Sequence, residues 1–518
     1  MSRVIISSGS QISADGGAAI AARGGNAVDA ALAAVLVSMC TDLGVMAPGA
    51  SGFITIWPPK DNPVVIDAYA EIPGRGKTSP RCGQGMKEVK FDYGGMMNTG
   101  IGYGSVATPG IFAGMEMACE QYGNLTWAEV MAPALKWVEQ GFPLTGGAAE
   151  YLLYTHKAIF SWHRESYQTL HHPDGSCLRE GEIVSIPDLA NSLQLIAEGG
   201  ADIFYSGEIG ERMVAEIQEG GGLLTAADLK AYRAIARAPI CIRFGDWEIA
   251  TNPAPAIGGA TLAAMLLLLD GQPFPKWNLE GVRQMVKIQQ AVLNYRNQHL
   301  ETASNSSIAT EINRLLELAG NGNFHDLLKS PSTIHISAVD SDGLACSITA
   351  SAGYGSGVMI SGTGLWLNNS LGEIELHPQG LQGLAPGTRL PSNMAPTIAK
   401  HDDGTILAIG SPGASRITTA IVQVLLNFIH LGMSLEEAIA SPRLHVEVFQ
   451  NAPTVSFEAG LNVDELTGFT TRSFPQLSMY FGGVQAALVK PDLSFLAVAD
   501  PRRTGGIAES NTPNKLDA

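Results

Sequence analysis

The chain predicts a layered α/β (α+β) fold around one core. Three observations point there. Apolar stretches with helical spacing alternate with short runs of β-branched residues bounded by Gly, Pro and Asp. No segment is rich enough in Pro or Ser to separate independent domains, and no repeat recurs at a fixed period. Of 518 residues, 45% are hydrophobic and 16% charged, so a large core is possible, with 59 glycines for turns and close backbone approaches.

The elements follow in order. Ser13 to Ala22 reads as a helix, Arg23-Gly24-Gly25-Asn26 as its cap and turn, and Ala27 to Met39 as a second helix. That second stretch is almost wholly small and apolar, so it is expected in the core rather than on an oligomer surface. Residues 47–70 read as strands broken by Gly49, Gly52 and Pro58-Pro59. Helices are expected over Ile111–Tyr122 and after Thr126, the latter stopped by Gly141-Phe142-Pro143. Residues 184–235 are mainly amphipathic helix, Ile240–Thr251 a strand pair, Ala260–Leu269 a helix and Leu279–Leu300 a long one. From Thr333 on, short strands dominate, with helices near Thr418–Leu431 and Ser434–Ile439.

One hairpin organises the rest. In Thr333-Ile334-His335-Ile336-Ser337-Ala338-Val339-Asp340, Ile334, Ile336 and Ala338 alternate with His335, Ser337 and Val339, and Asp342-Gly343 marks a tight turn. Thr333 follows a breaker-rich run ending Lys329-Ser330-Pro331-Ser332. From the residues alone it is either a β-former opening a strand or, if the chain is cut before it, a hydroxyl carrying its own amine base.

The net charge of −17 argues against nucleic acid and anionic membrane surfaces as partners. The six cysteines form no CxxC, and no Cys/His group has zinc spacing, so buried free thiols in a reducing compartment are expected. The N-terminus is too short and polar for a signal peptide, and the apolar Ala27–Met39 is too short to span a bilayer. The expectation is a soluble, cytoplasmic protein, with homo-oligomerisation left open.

An ordered series of segments resembles the γ-glutamyltranspeptidase family of N-terminal-nucleophile (Ntn) hydrolases. It comprises Gly24-Gly25-Asn26-Ala27-Val28-Asp29-Ala30-Ala31, Val106-Ala107-Thr108-Pro109-Gly110 and Tyr122-Gly123-Asn124-Leu125-Thr126-Trp127. It continues through Phe204-Tyr205-Ser206-Gly207, Gly220–Leu229, Thr333–Asp340 and Gly362–Asn369. Ser411-Pro412-Gly413-Ala414-Ser415-Arg416 and Asp500-Pro501-Arg502-Arg503-Thr504-Gly505 complete it. The resemblance implies a four-layer αββα sandwich made as one precursor that cuts itself before Thr333. The pieces would be residues 1–332 and 333–518, remaining partners of each other. It implies Thr333 as nucleophile on a small-molecule or peptide amide such as glutathione, an acyl-enzyme released by water or an amine, and no cofactor or metal.

The same resemblance places the remaining site residues. Ser351 stands where a Thr hydrogen-bonds the nucleophile, and Gly413 and Ala414 where a Gly-Gly pair forms the oxyanion hole. Ser392 and Asn393 match two serines that hold the substrate carboxylate, and Ser370 and Glu373 fall near the residues that bind its amino group. The sharpest departure is Tyr69, where the family has an Arg gripping that carboxylate; Tyr lacks both charge and fork. Arg75 is a candidate substitute. Ile334 replaces a second Thr, the 352–354 loop is short, and the stretch Leu371–Leu390 lacks a long lid, so an open cleft is expected. Three readings result: a γ-glutamyl amidohydrolase or transferase, an acylase-like relative with a non-glutamyl acyl group, and an uncut, silent binding relative.

Overall fold

The expected hairpin forms, and its first strand becomes the middle of a sheet. In a computed structural model, Ile334–Asp340 pairs antiparallel with Val4–Ser8 on one side and Ala345–Ser351 on the other. Described are residues 2–77, 84–92, 96–304, 306–321, 333–373, 380–381, 384–449, 452–463 and 466–510. The first sheet runs in the order Gly506–Glu509, Val4–Ser8, Ile334–Asp340, Ala345–Ser351, Ser51–Trp57, Val64–Ala68, Ile235–Arg237. The second runs Phe495–Ala499, Gln485–Val489, Ile406–Gly410, Thr397–His401, Trp247–Thr251, Ile240–Phe244. Every pairing within these two sheets is antiparallel.

Three apolar cores show the layering. Helices Gln11–Ala22, Ala27–Thr41, Ile111–Tyr122 and Trp127–Gln140 bury their faces with Ile334, Ile336 and Ala338 on the outer side of the first sheet. Helices Gly258–Leu269, Leu279–Tyr295, Ile308–Asn321 and Arg416–Leu425 do the same with Ile249, Leu407 and Ala486 on the second. Between the sheets, Ile5, Trp57, Val339 and Ala345 meet Ala250, Ile398, Ala408 and Ala487. The order is helix, sheet, sheet, helix, as the resemblance implied.

Local chemistry accounts for the helix starts. Asn26 accepts from the N–H groups of Val28 (2.9 Å) and Asp29 (3.1 Å), while Asp29 accepts from the Asn26 N–H (2.9 Å), a capping box. Asp29 also accepts from Asn124 N–H at 2.8 Å, tying two of the quoted segments together. All of Ala27–Thr41 is buried, as its composition predicts. Some boundaries differ from expectation. Gly52 does not break a strand but lies inside Ser51–Trp57, because a Cβ there would come within 2.5 Å of the Thr349 carbonyl. The long helix closes at Tyr295 and ends in a π-helical turn, Arg296–Leu300.

Alternation sorts the central strand. Its odd positions face the second sheet, where Ser337 Oγ donates to the Gln485 carbonyl at 3.1 Å. His335 is fully buried there, with Nδ1 2.8 Å from Thr349 Oγ1 and Nε2 2.9 Å from Ser337 Oγ. Because the Ser337 hydroxyl proton is committed to Gln485, Nε2 carries the imidazole hydrogen and Nδ1 accepts from Thr349. Gly410 makes room for the ring, since a Cβ at that position would lie 2.2 Å from His335 Cε1.

Two predictions follow from this seam. Gly410→Ala is expected to destabilise the protein by about 1–3 kcal/mol, read from the urea midpoint, because neither ring nor backbone has space to move. Burial pushes the His335 imidazole down from 6.5 to about 3. The unfolded chain therefore takes up a proton first as pH falls below 6.5, and stability is lost towards pH 3 at up to about 1.4 kcal/mol per unit. His335→Gln is expected to flatten that acid slope relative to the parent, while costing stability at pH 7.

Candidate active site

Thr333 stands one residue before the central strand, and alternation gives it the same inward face as His335. Ile334 pairs with Ala350, so one step back along the ladder Thr333 lies level with Ser351. Thr333 is 3% exposed and opens into a recess of about 580 Å³, mouth included. Asp42, Tyr151, Pro412, Gln485, Arg503 and Thr504 are among its walls. Gln485 Nε2 and Arg503 Nε are buried there without a hydrogen-bond partner among the described residues. Asp42 accepts from Ser38 Oγ at 2.5 Å and from Ser10 and Thr145 at 3.2 Å, and burial pushes its carboxyl up.

The sequence reading missed Gln485, Asp42 and the wall from Thr145 to Tyr151. Of the other walls, Pro412, Arg503 and Thr504 lay in quoted segments, and no spacing linked them to Thr333. Gln485 and Arg503 arrive there because Gln485–Val489, in the second sheet, faces Ile334–Asp340, and the chain after Ala499 returns to the edge of the first sheet.

The turn after Ile406–Gly410 puts Pro412 in the recess wall; Gly413 and Ala414 follow it in the chain but do not themselves line the recess. Gly413 has φ +121° and Ala414 φ +65°, so Ala414 takes the left-handed conformation that L-residues avoid. Their carbonyls accept from Arg416 N–H (2.9 Å) and Ile417 N–H (3.3 Å). Neither of their own N–H groups donates a hydrogen bond among the described residues.

Tyr69, Ser370, Glu373, Ser392 and Asn393 do not line that recess. They gather as a second buried polar group. Tyr69 stacks on Phe53 at 5.2 Å, and its phenol faces Ser392. Burial, and then the nearby Glu373 carboxylate, push that phenol up. Glu373 borders the turn after Ser351, its carboxyl carbon 3.0 Å from where a Gly353 Cβ would stand. Gly353 N–H in turn donates to Ser351 Oγ at 2.8 Å. The Ser370 N–H donates to Asn368 Oδ1 at 3.1 Å. Both polar side-chain atoms of Asn393 are buried without a partner among the described residues. The polar group therefore reaches Thr333 through Glu373, Gly353 and Ser351.

Arg75 does not take over the role of an arginine at Tyr69. It pairs with Glu71 at 2.9 Å and faces Asp228 at 3.6 Å. Arg389, buried where Arg75 is half-buried, is held by Asp67 (3.4 Å) and Glu71 (3.1 Å). The expected cut before Thr333 and part of the expected open stretch (374–379, 382–383) lie outside the described residues.

The strain at Ala414 generates a prediction. Ala414→Gly is expected to raise stability by about 0.5–1 kcal/mol, the left-handed penalty less glycine's extra unfolded-state entropy. The thermal midpoint reads it.

Comparison with known proteins agrees with this architecture. A family model described as gamma-glutamyltranspeptidase matches residues 13–510. The glutathione hydrolase proenzyme of Escherichia coli (strain K12) is 28% identical over 520 residues, covering 94% of this chain and 88% of that protein. The Acylase ACY 1 proenzyme of Pseudomonas sp. (strain SE83) is 28% identical over 465 residues, covering 86% and 83%. The crystal structure of cephalosporin acylase from Bacillus halodurans superposes with a TM-score of 0.81 at 23% identity, covering 98% of this chain and 96% of that one. The shared fold and the match across nearly the whole length lead to one conclusion: the chain belongs to the gamma-glutamyltranspeptidase family of Ntn hydrolases.

Proposed function

We propose that the chain breaks between Ser332 and Thr333 and that Thr333 then works as an N-terminal nucleophile on an amide, with a γ-glutamyl amide of the glutathione kind as acyl donor. The observation that carries this is the position of Thr333, at the head of the central strand, facing a recess beside the 412–414 turn. The Thr333 Oγ1 attacks the amide carbonyl carbon while its own amine takes the hydroxyl proton. The N–H groups of Gly413 and Ala414 hold the developing oxyanion. The leaving amine departs with the proton, and water or an acceptor amine releases the acyl group from the ester. This chemistry calls for no cofactor. Ser351 steadies the nucleophile, and Tyr69, Ser392, Asn393, Ser370 and Glu373 receive the acyl group's polar end.

The two pieces stay together for a structural reason. Strand Ile334–Asp340 of the second piece is bonded to Val4–Ser8 of the first, and Ala345–Ser351 to Ser51–Trp57. Parting them means dismantling the sheet. The described cysteines are all free thiols, which supports a cytoplasmic setting. Of these, Cys241 is exposed and Cys177 half-buried, so not every thiol is in the core as expected. No described helix is long and apolar enough to cross a membrane.

Tyr69 favours a second reading of the substrate. With Arg75 and Arg389 both paired to carboxylates, the polar group offers a glutamyl carboxylate only neutral donors, beside Glu373. An acyl group without that carboxylate fits as well, and the acylase relative is consistent with it.

Intact mass under denaturing conditions is expected to give two chains meeting between Ser332 and Thr333. Thr333→Ala is expected to stay uncut and to lose amide turnover by about 10³-fold or more. Turnover by the uncut Thr333→Ala protein overturns the nucleophile; an uncut, inactive parent chain points to the silent relative. Comparing kcat/KM for a γ-glutamyl anilide with that for an anilide of an uncharged acyl group separates the two substrate readings.

A further inference from the structure

Beyond the Thr333 recess, the fold gathers His156, His171 and Cys177, whose donor atoms all lie within 4.8 Å of one another. Their sequence spacing matches no zinc pattern. His156 opens a π-helical turn, His156–Phe160, directly after helix Gly146–Thr155. His171 caps the end of helix Arg164–Leu170. Cys177 faces His171 across an antiparallel bridge, in a hairpin closed by Leu178 N–H to Leu170 O at 3.0 Å.

The donors are already oriented. His171 Nδ1 lies 3.0 Å from the Tyr167 carbonyl, which can only accept, so Nδ1 carries the hydrogen and Nε2 presents its lone pair. That lone pair faces Nδ1 of His156 at 2.9 Å, so a proton from His156 sits between the two rings. The Tyr167 ring stacks on His171 at 4.4 Å and fixes its plane. Burial holds both imidazoles down, keeping them neutral as ligands must be, and pushes the Cys177 thiol up to about 11.

We propose that His156 Nδ1, His171 Nε2 and Cys177 Sγ bind a zinc-type divalent ion, with solvent in the fourth position. Tetrahedral Zn–N bonds of about 2.0–2.1 Å set the nitrogens roughly 3.3 Å apart, a few tenths of an ångström from the present separation. The ion replaces the proton between the rings. His156 keeps that hydrogen on Nε2, and Cys177 releases its thiol proton to solvent, so one proton leaves per ion bound. The Tyr167 carbonyl is the outer partner that metal-binding histidines require. The ion also bears on the catalytic cleft. Helix Gly146–Thr155 supplies Gly147, Ala148, Glu150 and Tyr151 to the Thr333 recess, and the ion fastens its far end to the 170–178 hairpin.

The test titrates the chelator-stripped full-length protein with Zn²⁺ or Co²⁺ alone. Expected are one ion per chain, release of one proton, a raised thermal midpoint and a thiolate-to-cobalt charge-transfer band. Cys177→Ser is expected to abolish that band. It and His156→Gln should each weaken binding by at least the roughly 10–100-fold that loss of a supporting partner costs. Neither side chain is fully buried, and each variant's midpoint without metal reports that it folds. The proposal is overturned if the parent binds no more tightly than the double variant, or if cobalt binds without the thiolate band.

Discussion

The structure depends on a strand covered on both faces. Ile334–Asp340 has helices against its even positions and a second sheet against its odd ones, and every residue in it is buried. A strand so placed cannot slip by one residue, because a slip would drive His335 and Ser337 into the helix-side core and leave Ile334 and Ile336 among hydroxyls. That constraint fixes where the strand begins, and so where Thr333 stands. The position of Thr333, the proposed nucleophile, is a consequence of register.

The layer between the sheets is unusual in being part apolar and part polar. Val339, Ala345 and Ala408 fill one region, while His335, Ser337, Ser347, Thr349 and Gln485 form a bonded seam nearer the Thr333 end. Each buried polar group there must find a partner, since an orphan costs about 1–3 kcal/mol. The seam therefore holds the two sheets in one relative position more tightly than apolar contact alone, which is non-directional. Where the seam ends, at the recess, donors without described partners begin: Gln485 Nε2 and Arg503 Nε. The bonded seam thus runs up to the recess that Thr333 faces.

Much of the fold was legible in order and type. The buried Ala27–Thr41 helix, the Ile111–Tyr122 helix and the 334–351 hairpin follow from periodicity and capping chemistry acting within a few residues. Gly52 was misread because a glycine that ends a strand and one that lets a neighbouring strand approach look alike in sequence. The site was legible only in part. Tyr69 could be read as the loss of a charge, but that Arg75 is already paired with Glu71 and Asp228 required coordinates.

The sequence by itself determined which segments are helix or strand and which residue types are available for chemistry, because those depend on composition and short-range periodicity. It determined the family through an ordered series of motifs. Only the tertiary structure decided which chemically capable groups share a space. Asp42, Gln485 and Arg503 join Thr333, and His156, His171 and Cys177 converge, across gaps in the chain that no local pattern spans. The physical reason is that contacts between layers are set by how whole sheets and helices pack, and a residue's neighbours in sequence carry no record of that packing.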